Sequence, residues 1–89
     1  MTESRVAMIR QRLVDALHPE SLSIEDDSAQ HIGHASAGGG GHFTVTIVSN
    51  KFNGLNLIKR HRIVYAAVAD MMNSEIHALS MKTYTPEEI

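Results

Sequence analysis

The hydrophobic period of this chain changes along its length, and the order of the changes restricts the folds open to it. Val6, Ile9, Leu13, Ala16 and Leu17 recur at spacings of three and four, which marks the apolar face of a helix over residues 4–17. Pro19 disfavours helical geometry in His18 and ends that helix. Ser21-Leu22-Ser23-Ile24-Glu25 then alternates polar and apolar, as a half-buried strand does, until Asp26-Asp27-Ser28 breaks it. A second alternation runs from His42 to Ser49, with Phe43, Val45 and Ile47 on one side. Lys51-Phe52 suits a short helical turn, and Asn53-Gly54 marks a chain reversal. Asn56 caps a second helix whose apolar face holds Ile58, Val64, Ala67, Val68, Met71 and Met72, and which ends near Asn73-Ser74. A third strand covers residues 76–84, where His77 shares a face with Leu79 and Met81. Thr85-Pro86-Glu87-Glu88 is a helix-start signature with room for one turn at most.

The resulting order is α-β-β-α-β. Three strands and two long helices bury their apolar sides most simply as an α+β layer pair, with both helices on one face of the sheet. The 89 residues, 43% of them hydrophobic, suit one domain over residues 1–89 with a modest core. No apolar run approaches the roughly 20 residues of a membrane span. The first residues, Met1-Thr2-Glu3-Ser4-Arg5, lack the apolar stretch of a secretory signal, so the expectation is cytoplasmic residence without membrane contact.

Six histidines and no cysteine set the available chemistry. No thiol nucleophile, disulfide or thiolate metal site arises from this chain alone, whereas imidazole nitrogen is plentiful. His31 and His34 lie in a segment rich in Ala, Ser and Gly that ends in four glycines, Gly38 to Gly41. Those glycines formally satisfy Gly-x-x-Gly, but they precede a strand, whereas a KH domain needs that loop between two helices. A phosphate-binding loop needs a lysine where His42 stands. No signature pairs a base with Ser49 or Ser80, so the chain does not read as an enzyme. The formal charge of −2 opposes bulk attraction to nucleic acid. A local basic run, Lys51, Lys59, Arg60, His61 and Arg62, offers a surface for phosphate or for an acidic partner, and equally reads as a solvated helix start.

His42-Phe43, Ile47-Val48-Ser49, Phe52, Gly54, Arg60-His61-Arg62, Val64-Tyr65, Ile76-His77-Ala78-Leu79 and Thr83-Tyr84-Thr85-Pro86-Glu87 together resemble the BolA-like family, in order and over nearly the whole chain. The resemblance implies a fold like the class II KH domain. It implies partnership with monothiol glutaredoxins that carry a Cys-Gly-Phe-Ser motif, with a [2Fe-2S] cluster shared between the two proteins and glutathione supplying a thiolate. The histidine just after the start of the last strand, here His77, is then one ligand. The second comes from the loop between the first two strands, as cysteine in one branch and histidine in another. This chain resembles the histidine branch, with His34 and His31 as candidates. Gly33-His34-Ala35 resembles the family's Gly-His-Ala and favours His34. Part of the family consists of DNA-binding transcriptional regulators, so DNA is the alternative partner. The chain by itself is expected to be a monomer or a weak homodimer.

The chemistry is consistent with that picture without depending on it. Cluster iron accepts imidazole in place of thiolate. Two histidines cannot fill a binuclear cluster, so the remaining ligands must come from outside. Blander roles stand beside each assignment: His31 and His34 as solvated loop residues, His77 as a half-buried histidine satisfied by a hydrogen bond, His42 as a structural residue facing the same side as Thr44, and Met71-Met72 as core filling. A free-standing metal-binding protein is a third reading.

Overall fold

The computed structural model describes residues 2–27, 41–72 and 74–89. Helix α1 spans Thr2–Leu17, strand β1 Ser21–Asp26, strand β2 Gly41–Val48, helix α2 Leu57–Ala67 and strand β3 Ile76–Tyr84. Short 3-10 turns occupy Asn50–Phe52, Ala69–Met71 and Pro86–Glu88. The α-β-β-α-β order and the α+β class are thus as expected. The sheet order is β1-β2-β3, with β1 antiparallel and β3 parallel to the central β2.

The inward residues of β2, namely Phe43, Val45 and Ile47, are fully buried. They meet Ile9, Leu13 and Leu17 from α1 and Val64, Val68 and Met71 from the α2 region, and these residues form one core. Leu22, Ile24 and Met81 complete the sheet's apolar side from the flanking strands. The buried stripe of α1 is narrower than the sequence suggests. Positions 9, 13 and 17 follow at four-residue steps, and Ala16, expected on that face, is exposed.

Several boundaries follow local chemistry. His18 takes φ +44°, a left-handed conformation that histidine tolerates better than most residues, and its N–H donates to Val14 O at 3.0 Å. The chain therefore leaves α1 where Pro19 demands it. Gly54 supplies φ +77° in the turn after Phe52. The Asn56 side chain accepts from Lys59 N–H at 2.9 Å and caps α2.

The end of α2 departs from expectation. The α-helix stops at Ala67 and tightens into 3-10 geometry, with Val68 N–H donating to Tyr65 O and Met71 N–H to Val68 O. At about three residues per turn, Val68 and Met71 both reach the core. The same turn presents Asp70 to Arg12 of α1 in a two-pronged ion pair, closest at 2.7 Å. Ile58 departs as well: expected on the apolar face, it is 63% exposed. The inward face of α2 runs through Arg60, Val64 and Val68, and Ile58 lies about 200° around the helix from Arg60.

Truncating Ile47, fully buried at the centre of the sheet, removes contacts that its close-packed neighbours cannot replace. Ile47→Ala is expected to cost about 2–5 kcal/mol in urea unfolding. Ala16→Ser on the exposed side of α1 is expected to change stability by less than about 0.5 kcal/mol.

Candidate functional site at the histidine end of the sheet

The parallel pairing of β2 with β3 contains an irregularity at its start. Gly41 stands opposite Ile76, yet His42 stands opposite Ala78, so His77 is an extra residue in β3. Such a bulge shifts the parity of every residue behind it. Ile76 points into the core, and so does Leu79 three residues later, while His77 is exposed. This corrects the expectation that His77 shares a face with Leu79 and Met81. In regular alternation the imidazole would lie in the core, and the bulge turns it outward.

The bulge also gives His77 a neighbour. The His42 ring lies 5.1 Å away between centroids, tilted by 41°. His42 is half-buried and shares the outer side of β2 with Thr44, as its parity in the sequence indicated. Its pairing with His77 was not legible there, because it depends on the register between strands far apart in the chain.

Two backbone bonds hold this end of the sheet. Asp27 N–H donates to His42 O at 2.7 Å, and Gly41 N–H donates to Glu75 O at 3.1 Å. The Thr44 hydroxyl donates to an Asp27 carboxylate oxygen at 2.6 Å. Residues 28–40 join β1 to β2, and hence connect at this same end. His31 and His34 belong to that segment and lie outside the described residues. Among the described residues, His42 and His77 are the nitrogen donors brought together, and no group of three His, Asp or Glu side chains could hold a metal ion.

The basic run is placed elsewhere, and it divides. Arg60, expected among the partner-facing cations, is turned inward with a side chain only 11% exposed. Its Nε donates to Leu55 O at 2.9 Å and its Nη1 to Thr83 O at 3.2 Å. Two further bonds, at 2.7 and 2.9 Å, reach the two carboxylate oxygens of Glu88, and the guanidinium lies 5.8 Å from the Phe52 ring centre. Glu88 also accepts from Thr85 N–H at 2.8 Å, which closes the one-turn helix that the Thr85-Pro86 signature announced. Arg60 is therefore a structural clamp on the carboxyl-terminal end of β3. Lys51, Lys59 and Arg62 remain exposed, and His61 is half-buried.

Ser49 is fully buried. Its hydroxyl donates to Leu17 O at 2.7 Å and accepts from Lys51 N–H at 3.0 Å. The hydroxyl links the end of β2 to the end of α1, and its burial leaves no approach for a substrate.

The hydrogen bonds from Arg60, then that from Thr85 N–H, hold the Glu88 carboxyl at about 2, well below its ordinary 4.5. A group with a depressed folded-state pKa stabilises the fold above its unfolded value, and the contribution vanishes as pH falls through the folded one. Wild-type thermal stability is therefore expected to include a contribution lost between about pH 4.5 and about pH 2. Glu88→Gln is expected to remove that contribution, as read from melting temperatures followed by circular dichroism. Arg60→Lys is expected to destabilise as well, because an ammonium cannot reproduce the two-pronged contact.

Comparison with known proteins supports the same architecture. The family model described as BolA-like protein matches residues 13–88. Among curated proteins, the chain is 44% identical over 97% of its length to Protein BOLA1, chloroplastic, of Arabidopsis thaliana, of which it covers 56%. It is 41% identical over 92% of its length to human BolA-like protein 1, of which it covers 58%. The chain thus spans a little over half the length of these relatives. It is also 40% identical to a Vibrio cholerae protein named DNA-binding transcriptional regulator BolA, with 91% of this chain and 74% of that one aligned. Among solved structures, the BolA domain of SufE1 from Arabidopsis thaliana superposes with a TM-score of 0.85 at 43% identity, covering 97% of this chain and 96% of that one.

Proposed function

The chain belongs to the BolA-like family, and from this premise we propose that it is a non-enzymatic, cytoplasmic partner of monothiol glutaredoxins that shares or transfers a [2Fe-2S] cluster in iron homeostasis. The observation that supports this most directly is the exposed His77, set on a bulge at the end of the sheet where the segment bearing His31 and His34 connects. An exposed imidazole is available to a ligand held by another protein, whereas a buried one is not.

The donor set fits the group. Imidazole is an accepted ligand of cluster iron. Two nitrogen donors from one chain leave half the coordination of a binuclear cluster to be completed by thiolates, which a cysteine-free chain must obtain from its partner and from glutathione. His77 would be one ligand and His34 or His31 the other. When bound, the cluster would supply a transferable iron-sulfur unit. The residues of this chain would bind and orient it, and no covalent bond to carbon or phosphorus changes. His42, beside His77, would orient that ring or replace the loop histidine.

The test is visible absorption and circular dichroism of the chain mixed with a cluster-loaded Cys-Gly-Phe-Ser glutaredoxin and glutathione. The expected outcome is a cluster spectrum changed by the wild-type chain and unchanged by His77→Ala. Separate His34→Ala, His31→Ala and His42→Ala variants then assign the second ligand. An unaltered spectrum with the wild-type chain and no complex on gel filtration would overturn the reading.

The alternative is a DNA-binding regulator, the role named for the Vibrio cholerae relative. The exposed Lys51, Lys59 and Arg62 favour it. This reading predicts DNA affinity that falls steeply with salt and is lost on charge reversal at Lys59 and Arg62.

A further inference from the structure

The two edges of the sheet are treated differently by the rest of the fold. On β3, Tyr84 O accepts from Ser49 N–H at the end of β2, so the carbonyls of opposite parity, at Leu79 and Thr83, point away from β2. Both are taken by side chains of α2. The Tyr65 hydroxyl donates to Leu79 O at 3.3 Å, and Arg60 Nη1 donates to Thr83 O at 3.2 Å. On β1, Asp27 N–H donates to His42 O, one step beyond the Asp26–Phe43 pair. The odd-numbered positions of β1 therefore bond to β2, and Leu22 and Ile24 turn their N–H and C=O groups outward. Among the described residues no hydrogen bond reaches those groups. We propose that this edge is a docking site for an extended segment of another protein, with alternating basic and apolar residues, which joins the sheet as a fourth strand.

The side chains on the helix side of this edge call for apolar residues in the added strand. Leu22 and Ile24 are half-buried there and pack against the core. Val14 of α1 is 39% exposed although it is aliphatic. Arg12, which meets Asp70 just beyond α2, lies about 200° around α1 from Val14. Val14 therefore occupies the flank of α1 turned away from α2, on the side of β1. Apolar side chains of an added strand extend the Leu22–Ile24 row beneath it, as same-face neighbours in a sheet do.

The outer side calls for cations. Glu25 is exposed on it, and Asp27 shares it with Thr44, whose hydroxyl it accepts. No lysine or arginine occurs between Arg12 and Lys51, and the same interval holds five of the ten acidic residues, Asp15, Glu20, Glu25, Asp26 and Asp27. Opposite charges on neighbouring strands attract and like charges repel, so lysine or arginine at alternate positions suits this side. The same rule rejects a second copy of the chain, because pairing two β1 strands adds the acids of one to those of the other. It also rejects nucleic acid, whose phosphates this edge repels. Acidic side chains thus guard β1 against its own kind while admitting a basic strand. The inference does not rest on cluster sharing and is testable without a cluster.

The experiment is an NMR titration of the uniformly labelled full chain with a capped synthetic peptide of alternating lysine and valine. Amide shifts are expected at Leu22, Ile24 and Val14, and amide-hydrogen exchange at Leu22 and Ile24 is expected to slow by roughly tenfold or more at saturation. Two N-methylated peptides test the backbone bonds. Methylated valine nitrogens block a strand antiparallel to β1, and methylated lysine nitrogens block a parallel one. One of the two is expected to lose roughly tenfold or more in affinity and the other to keep it. Glu25→Lys and Val14→Ser are each expected to weaken binding with an unchanged far-ultraviolet spectrum, and a glutamate–valine peptide is expected not to bind. Absence of shifts at Leu22 and Ile24 overturns the proposal. Full affinity for both methylated peptides overturns it as well, because attraction between charges then accounts for the binding without edge pairing. Shifts at Leu22 and Ile24 that arise from raising the concentration of the chain alone make the occupant a second copy and also overturn it.

Discussion

Strand β2 is bonded on both edges, antiparallel to β1 and parallel to β3, and its inward side chains are the centre of the core. The parallel half of that arrangement has a consequence for everything around it. A chain leaving the end of β2 must travel the full length of the sheet before it can begin β3 in the same direction. Helix α2 is that crossover. It starts beside the carboxyl-terminal ends of β2 and β3 and delivers the chain back to Ile76 at their amino-terminal ends. The two chemically distinctive segments are thereby assigned to opposite poles. The His42–His77 pair lies at the start of the parallel strands, and the basic, aliphatic start of α2 lies at their finish.

Each pole is secured by a different kind of interaction. At the finish, Arg60 binds the backbone at Leu55 and Thr83 and the carboxylate of Glu88, which ties α2, β3 and the terminal turn together through one side chain. Ser49 does similar work between β2 and α1 with a neutral hydroxyl. At the start, the control is geometric. One additional residue in β3 turns His77 outward and leaves Ile76 and Leu79 in the core. Without it, an imidazole would occupy a position otherwise taken by apolar side chains. Burial there would require a hydrogen-bond partner that the surrounding aliphatic groups cannot supply. The bulge therefore keeps the His77 imidazole out of the apolar core.

The family includes proteins named as DNA-binding regulators and proteins named only for their BolA likeness. The His42–His77 pair and the first turns of α2 lie toward opposite ends of β3. No helix among the described residues is long and apolar enough to cross a membrane.

The sequence by itself determined the element order, the caps and the turns. Hydrophobic period, Pro19, Gly54, Asn56 and the Thr85-Pro86 signature act over a few residues, and such local rules survive in any surrounding fold. It also displayed the histidines and the absence of cysteine. Tertiary structure alone decided three matters. The pairing register set the bulge at His77 and the meeting of His42 with it, because register is a property of two strands whose contacting residues are distant in the chain. The identity of Arg60 as a clamp depended on Thr83 and Glu88, more than twenty residues away, so its sequence neighbours Lys59 and Arg62 gave no sign of the difference. The exposure of Ile58 depended on which side of α2 met the sheet. The apolar periodicity of that helix was broad enough to include Ile58, and packing used only part of it.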